Sequence, residues 1–569
     1  MQMTRRALLG RGIQAGLGVA LFHLGSGSLM RSATTFAADH SERFQPAFKR
    51  LDDFIRQHMR DFGLPGMTLA IANREGQLRT SEYGFADLKA GTKVTPPTLF
   101  EIGSISKSFT AIAVLQAAEE GKLNLQKPVI EYLPWLKIES KFPPFTTHHL
   151  LSHTAGLPGV PLLTRVAFST LQTVAEPGTT FLYSNIGYVL LGFLLEAIDK
   201  RAFAEVMLQR VLEPLGMKAS APVITNAIRQ RVAVGYEPLY EDRPFPLRGK
   251  LAEAPWIEVP EAAGSIASTA GDMIAYLQLL LNRGVGPRGR VLSEQSFELL
   301  TKPVIKAPFR GEDASYAYGL WISEQDHNVL ARHTGGMVAF SSAMHADLTS
   351  GFGVFASVNA NLRGYRPNAV AKYALDLLRA TTVGKQLPSL PPQQPAPDRI
   401  KNAGDYAATY TSPSGTKLML TKQDERLTLQ HDGERIVLEE AGKDRFIVKH
   451  PDFELFTLGF GREKGVVVEA LHGADWWTND RYYGRKKFDY PSEWDAYTGH
   501  FKSDSPWYGS MRVVIRKGQL LIDGEEPITP VLGRNFLAGL ERITFDTIAH
   551  GEAIHLNYSG IDFYRTFTP

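Results

Sequence analysis

Apolar positions recur at helical spacing in Phe48, Leu51, Ile55, Met59 and Phe62, a stripe that predicts a helix with one face on a core. The next stretch, "GMTLAIANREGQLRTSEYGFADL", alternates on either side of Glu75 and Gly76 and predicts a β-hairpin. Soon afterwards "LFEIGSISKSFTAIAVLQAAEEGKLNL", from Leu99 to Leu125, predicts a buried helix opening near Ser104. Helix, antiparallel strands and helix in that order predict an α+β fold.

From about Tyr132 to Asp272 the pattern is mixed and rich in Pro and Gly, with a further helical run in "SNIGYVLLGFLLEAI". Strand-like alternation returns at "SSAMHADL" and "GFGVFASVN", and "PNAVAKYALDLLRAT" predicts a closing helix. Five prolines between Leu387 and Pro397 then form a stiff linker, the clearest boundary in the chain. Beyond it come short alternating strands in two similar copies. Tyr406 aligns with Tyr497, Leu427 with Leu520, and "DRFIV" with "RNFLA". A period that long is too great for a solenoid unit and suits two small β-barrels. The expected organisation is a leader over 1–38, a large α+β domain over 39–383, a linker over 384–399 and barrels over 400–490 and 491–569.

Composition changes this picture little: 44% hydrophobic and 21% charged is ordinary for a globular chain. The net charge of +3 rests on Arg5, Arg6, Arg11 and Arg31, in a leader with no acidic residue, so the remainder is nearly neutral. That gives no electrostatic case for nucleic acid. The leader's basic start, weakly apolar Gly-rich middle and small residues at Ala37 and Ala38 predict an export signal, and "TRRALLG" resembles the twin-arginine type. A periplasmic or secreted location follows as an expectation, with no stable membrane anchor once the signal is removed. The absence of cysteine excludes disulfides, thiolate metal sites and a cysteine nucleophile.

The chemistry centres on Ser104 and Lys107. Three residues apart at a helix start, they can bring a hydroxyl and an amine together, and a desolvated lysine can take the serine proton. Alone the motif is weak, since Ser414 and Lys417 repeat it in the first barrel. Two further elements corroborate it: the single Tyr-x-Asn, Tyr183 and Asn185, and the single His/Lys-Thr-Gly, at His333, Thr334 and Gly335. His149 and His153 lack the intervening glutamate of a zinc protease helix and read as structural, and no Gly-x-Ser-x-Gly elbow occurs. The aromatic "WWTNDRYYG" reads as barrel packing in preference to a loop reaching the cleft.

In this order the three elements resemble those of the serine β-lactamase and penicillin-binding peptidase superfamily, on the class C and D-alanyl-D-alanine carboxypeptidase side. "HHLLSHTAGLP", "EAAGSIASTAGDM" and "YAYGLW" extend the resemblance over about residues 44–379. The barrels resemble the D-aminopeptidase architecture, with lipocalin-like domains after the catalytic one. The resemblance implies Ser104 as nucleophile, Lys107 and Tyr183 in proton transfer, and Asn185 holding Lys107 and the substrate amide. It implies His333 facing the cleft from an edge strand, beside Thr334 and Gly335, and an oxyanion hole from the N–H groups of Ser104 and Gly336.

The expectation is an exported serine hydrolase acting through an acyl-serine, without metal or organic cofactor. Its small substrate would be a peptide, amide or ester, with D-residues favoured because His333 stands where class C β-lactamases carry lysine. A carboxylesterase or β-lactamase uses the same core, and a non-catalytic β-lactam sensor or ligand carrier is the alternative of another class.

Overall fold

The computed structural model describes residues 42–159, 172–239, 243, 250–307, 313–362, 364–392 and 396–567. The expected leader lies outside them. Among the described residues no helix is long and apolar enough to cross a membrane.

The first domain is built on a nine-stranded antiparallel sheet whose centre joins Gly66–Asn73 to Phe352–Val358 and Ser341–Asp347. Phe352–Val358 and Ser341–Asp347 are buried along their whole length, as strands covered on both faces must be. The stripe read from Phe48 to Phe62 lies on the helix Gln45–Phe62, which packs with the closing helix Asn368–Thr382 over one face. The other face carries the helix Ala270–Leu281 and, beyond it, Ser106–Glu119 and Asn185–Asp199 in one core. Ser106–Glu119 is buried on nearly all sides, which explains its apolar run without amphipathic periodicity.

The strand holding the His-Thr-Gly element, Asn328–Gly336, is not an edge strand as expected. Trp321–Gln325, Ser315–Tyr316 and Ile305–Lys306 continue the sheet outside it. The pairing with Trp321–Gln325 nevertheless stops at Arg332, so His333 to Gly336 have a strand partner only on the inner side. The expected edge is therefore local, confined to the four residues of interest.

The linker is anchored at its start: Arg50 donates to the Leu387 and Pro388 carbonyls at 3.0 and 2.9 Å, and Tyr373 donates to Pro388 at 3.2 Å. After it comes a nine-stranded antiparallel sheet whose two end strands, Glu434–Val437 and Glu439–Gly442, follow one another in sequence through buried Leu438. The sheet curls almost into a barrel but stays open at that corner. The last domain, from Gly499 to Thr566, is a closed eight-stranded barrel. The repeat is visible in the packing, where Tyr406 meets Phe446 edge-on at 4.8 Å and Tyr497 meets Phe536 at 5.6 Å.

Candidate active site

Between Glu101 and Thr110 every residue except Ser104 is buried. Ser104 lies in a short 3-10 turn, Gly103–Ile105, that runs into Ser106–Glu119, just ahead of the α-helix proper. Gly103 has φ +52°, and a Cβ there would stand 2.9 Å from the Gly336 nitrogen and 3.2 Å from the Gly335 Cα. Three glycines thus let the unpaired end of the strand lie directly against the serine turn. Ser342 ties the two by donating to the Ile102 carbonyl at 2.9 Å.

Lys107, fully buried, extends its amine to Ser104 Oγ at 3.0 Å, Asn185 Oδ1 at 2.6 Å and the Ala263 carbonyl at 2.7 Å. Burial holds its pKa well below the usual lysine range. A neutral amine has two protons and one lone pair. The carbonyl of Ala263 and the Asn185 amide oxygen can only accept, so they take the protons and leave the lone pair for the Ser104 hydroxyl. Asn185 is set by the first turn of its helix, which Ser184 caps by accepting from the Gly187 N–H at 3.4 Å.

Tyr183 precedes that helix, half-buried, with Lys107 Nζ 5.0 Å from its ring centre. Its backbone is held by His153, whose carbonyl accepts from Leu182 N–H at 2.8 Å and whose Nδ1 accepts from Ser184 N–H at 3.0 Å. The His153 ring lies 4.2 Å from the Tyr183 ring and also meets Tyr188 and Tyr316. Burial pushes the His153 pKa well down, so the ring is neutral. Its backbone is left-handed, φ 57°, a strained conformation for a residue with a side chain.

His333 is buried, and its ring centre is 6.3 Å from that of Tyr183. Nδ1 lies 2.8 Å from the Thr334 carbonyl, an acceptor only, so it carries a proton; Nε2 lies 3.2 Å from the Tyr316 hydroxyl. The imidazole therefore connects to Tyr316, on the "YAYGLW" segment. Gly319 of that segment, φ +72°, seats it against the backbone of Lys107 and Ser108.

The other sequence candidates fall elsewhere. Ser414 and Lys417 are exposed. His149 closes a capping box with Thr146, and burial brings its pKa down to about 4. In "WWTNDRYYG", Trp476 and Tyr482 pack on each other and on Lys517 where the two β domains meet. The last barrel reaches the catalytic domain near the site. Trp507 closes a cavity of about 160 Å³ lined also by Glu101, Trp256, Met337 and Phe340, and Glu541 accepts from the Gly159 N–H at 2.6 Å. Burial pushes the Glu101 carboxyl up to about 8. Neither Trp507 nor Glu541 has a local sequence signal, because each meets residues hundreds of positions away.

A half-buried serine beside a buried lysine, on an antiparallel sheet flanked by helices, is the arrangement of the β-lactamase and penicillin-binding protein fold. The Beta-lactamase family profile matches residues 51–380, more than half of the chain, and the chain belongs to that family. It is 24% identical over 419 residues to penicillin-binding protein 4* of Bacillus subtilis (strain 168), covering 68% of this chain and 88% of that protein. It is 25% identical over 337 residues to protein flp of Staphylococcus aureus (strain MW2), covering 55% of this chain; it spans 63% of that protein's length. Among solved structures, the octameric penicillin-binding protein homologue from Pyrococcus abyssi superposes with a TM-score of 0.56 at 25% identity. That match covers 76% of this chain and 99% of the other.

Proposed function

We propose that the protein is an exported amidase or peptidase that works through an acyl-serine at Ser104 and prefers a D-residue beside the scissile bond. The observation that carries the reading is the fully buried Lys107 amine 3.0 Å from Ser104 Oγ, held by the Asn185 and Ala263 oxygens and with its pKa depressed by burial. Ser104 Oγ adds to the substrate carbonyl carbon while its proton passes to Lys107 Nζ. The oxyanion is received by the N–H groups of Ser104 and Gly336, which the Gly103 contact brings together. Tyr183 delivers a proton to the departing amine, Asn185 holds Lys107 and the substrate amide, and the acyl-serine is then hydrolysed by water. Thr334 and Gly335 present the substrate-facing strand, while His333 orients Tyr316 and the aromatic group around Tyr183.

Amide cleavage is favoured over simple ester cleavage because an amine leaves only when protonated, and Tyr183 lies near the lysine that receives the serine proton. The likeness to penicillin-binding proteins supports the same side of the superfamily. The basic, Gly-rich leader supports export. Hydrolysis across D- and L-aminoacyl amides, p-nitrophenyl esters and nitrocefin tests the reading. Turnover of D-configured amides is expected; cleavage of esters with no amide of either hand would assign the chain to the esterases.

A further inference from the structure

The first β domain gathers a second set of reactive side chains, outside the catalytic domain. His431 ends the strand Arg426–His431 and is followed by the tight turn at Asp432 and Gly433, both with positive φ. Across from it, His450, Pro451 and Asp452 form a second turn opening the 3-10 segment Pro451–Phe453. The two turns put His431 Nε2 2.7 Å from Asp452 Oδ2, and the Asp432 carboxylate 3.8 Å from the same Nε2. His450 Nδ1 lies 3.7 Å from Asp452 Oδ2. One ligand atom from each of His431, His450 and Asp452 falls within 4.8 Å of the others.

From these spacings we propose that His431, His450 and Asp452 form a zinc-class metal site, with Asp432 or water completing the coordination. Ligands about 2.0–2.2 Å from a tetrahedral zinc stand about 3.3–3.6 Å apart. The 2.7 and 3.7 Å from Asp452 Oδ2 to the two histidines fall on either side of that value, and the whole set lies within 4.8 Å, so opening the His431–Asp452 contact by about 0.6–0.9 Å lets the ion enter. Imidazole with carboxylate suits zinc and its borderline neighbours, whereas calcium and magnesium require an oxygen cage. His450 gives up only a 3.3 Å contact from the Asp452 N–H to turn its Nδ1 to the metal.

The ion would clamp the 431–433 turn onto the 450–453 turn. Phe453, between them and the core, already packs edge-on against His431 at 5.1 Å. The next residue, Glu454, pairs with Arg243 of the catalytic domain, so the clamp stiffens the segment that bridges the domains. Its role is structural and separate from the chemistry at Ser104.

The test is zinc chloride titrated into the full chain against the chromogenic chelator 4-(2-pyridylazo)resorcinol, with calcium and magnesium in parallel. Wild type should take up one zinc, and zinc should raise its melting temperature. His431→Ala and Asp452→Asn should bind at least about tenfold more weakly, the loss that removal of even an outer-sphere partner produces. Zinc should not raise their melting temperatures, and the rate of Ser104 acylation should not respond to zinc. His450→Gln serves if either variant fails to fold. Absence of saturable zinc uptake, uptake unchanged in the variants, or a preference for calcium would overturn the site and leave only a His431–Asp452 hydrogen bond.

Discussion

Gly159 and Glu541 lie 382 positions apart in the chain and meet through a 2.6 Å hydrogen bond from a backbone N–H to a carboxylate. A Cβ on Gly159 would stand 2.8 Å from the Tyr183 carbonyl. The last barrel therefore grips the segment that packs against the Tyr183 backbone.

Glu541→Ala should loosen that grip. A charge-assisted hydrogen bond is worth about 1.5–3 kcal/mol when buried, and the half-exposed position reduces this to about 1 kcal/mol. Turnover should fall several-fold while the melting temperature moves by only a few degrees. Steady-state kinetics beside a thermal melt checks this, and unchanged kinetics would show that the contact does not support Tyr183.

Lys107 gives stability a pH dependence of defined sign. Its pKa is depressed in the folded protein, so between that value and the ordinary lysine value near 10.4 the unfolded chain binds the extra proton. Stability conferred by this position therefore rises with pH through that window and levels off at its ends. Wild type should gain on Lys107→Met as pH increases, measured by urea unfolding from neutral pH to about 10. Lys107→Arg, which cannot lose its proton, should be inactive throughout. A stability difference independent of pH would mean that Lys107 is charged in the folded state.

His153→Asn retains a side-chain oxygen to accept the Ser184 N–H and tolerates the left-handed backbone, but removes the ring against Tyr183. It should lower kcat about tenfold with KM little changed, because Tyr183 loses alignment while the oxyanion strand is untouched. A change confined to KM would place His153 in substrate binding.

The fold was legible where local pattern and tertiary demand agree. The stripe from Phe48 to Phe62, the hairpin about Glu75 and Gly76 and the paired tyrosines of the β repeat each report a contact their own neighbours anticipate. The open corner at Leu438 was not legible, because barrel closure depends on two end strands that the sequence places side by side without pairing them. At the site, Ser104, Lys107, Tyr183, Asn185 and His333 stood out as residue types at informative spacing. The sequence marks His153 only as structural, since its importance lies in a left-handed backbone and four aromatic contacts. Trp507 and Glu541 were invisible because nothing within a dozen residues distinguishes them.

The central claim is that Ser104 becomes acylated because Lys107 removes its proton. Intact-mass measurement after treatment with a fluorophosphonate or a penicillin, on wild type, Ser104→Ala and Lys107→Met, tests it most directly. One adduct on wild type, located to the peptide containing Ser104, with none on Ser104→Ala and a rate lowered by orders of magnitude in Lys107→Met, is the predicted result. An adduct that persists in Ser104→Ala, or a wild type that gains no mass from either probe, would contradict it.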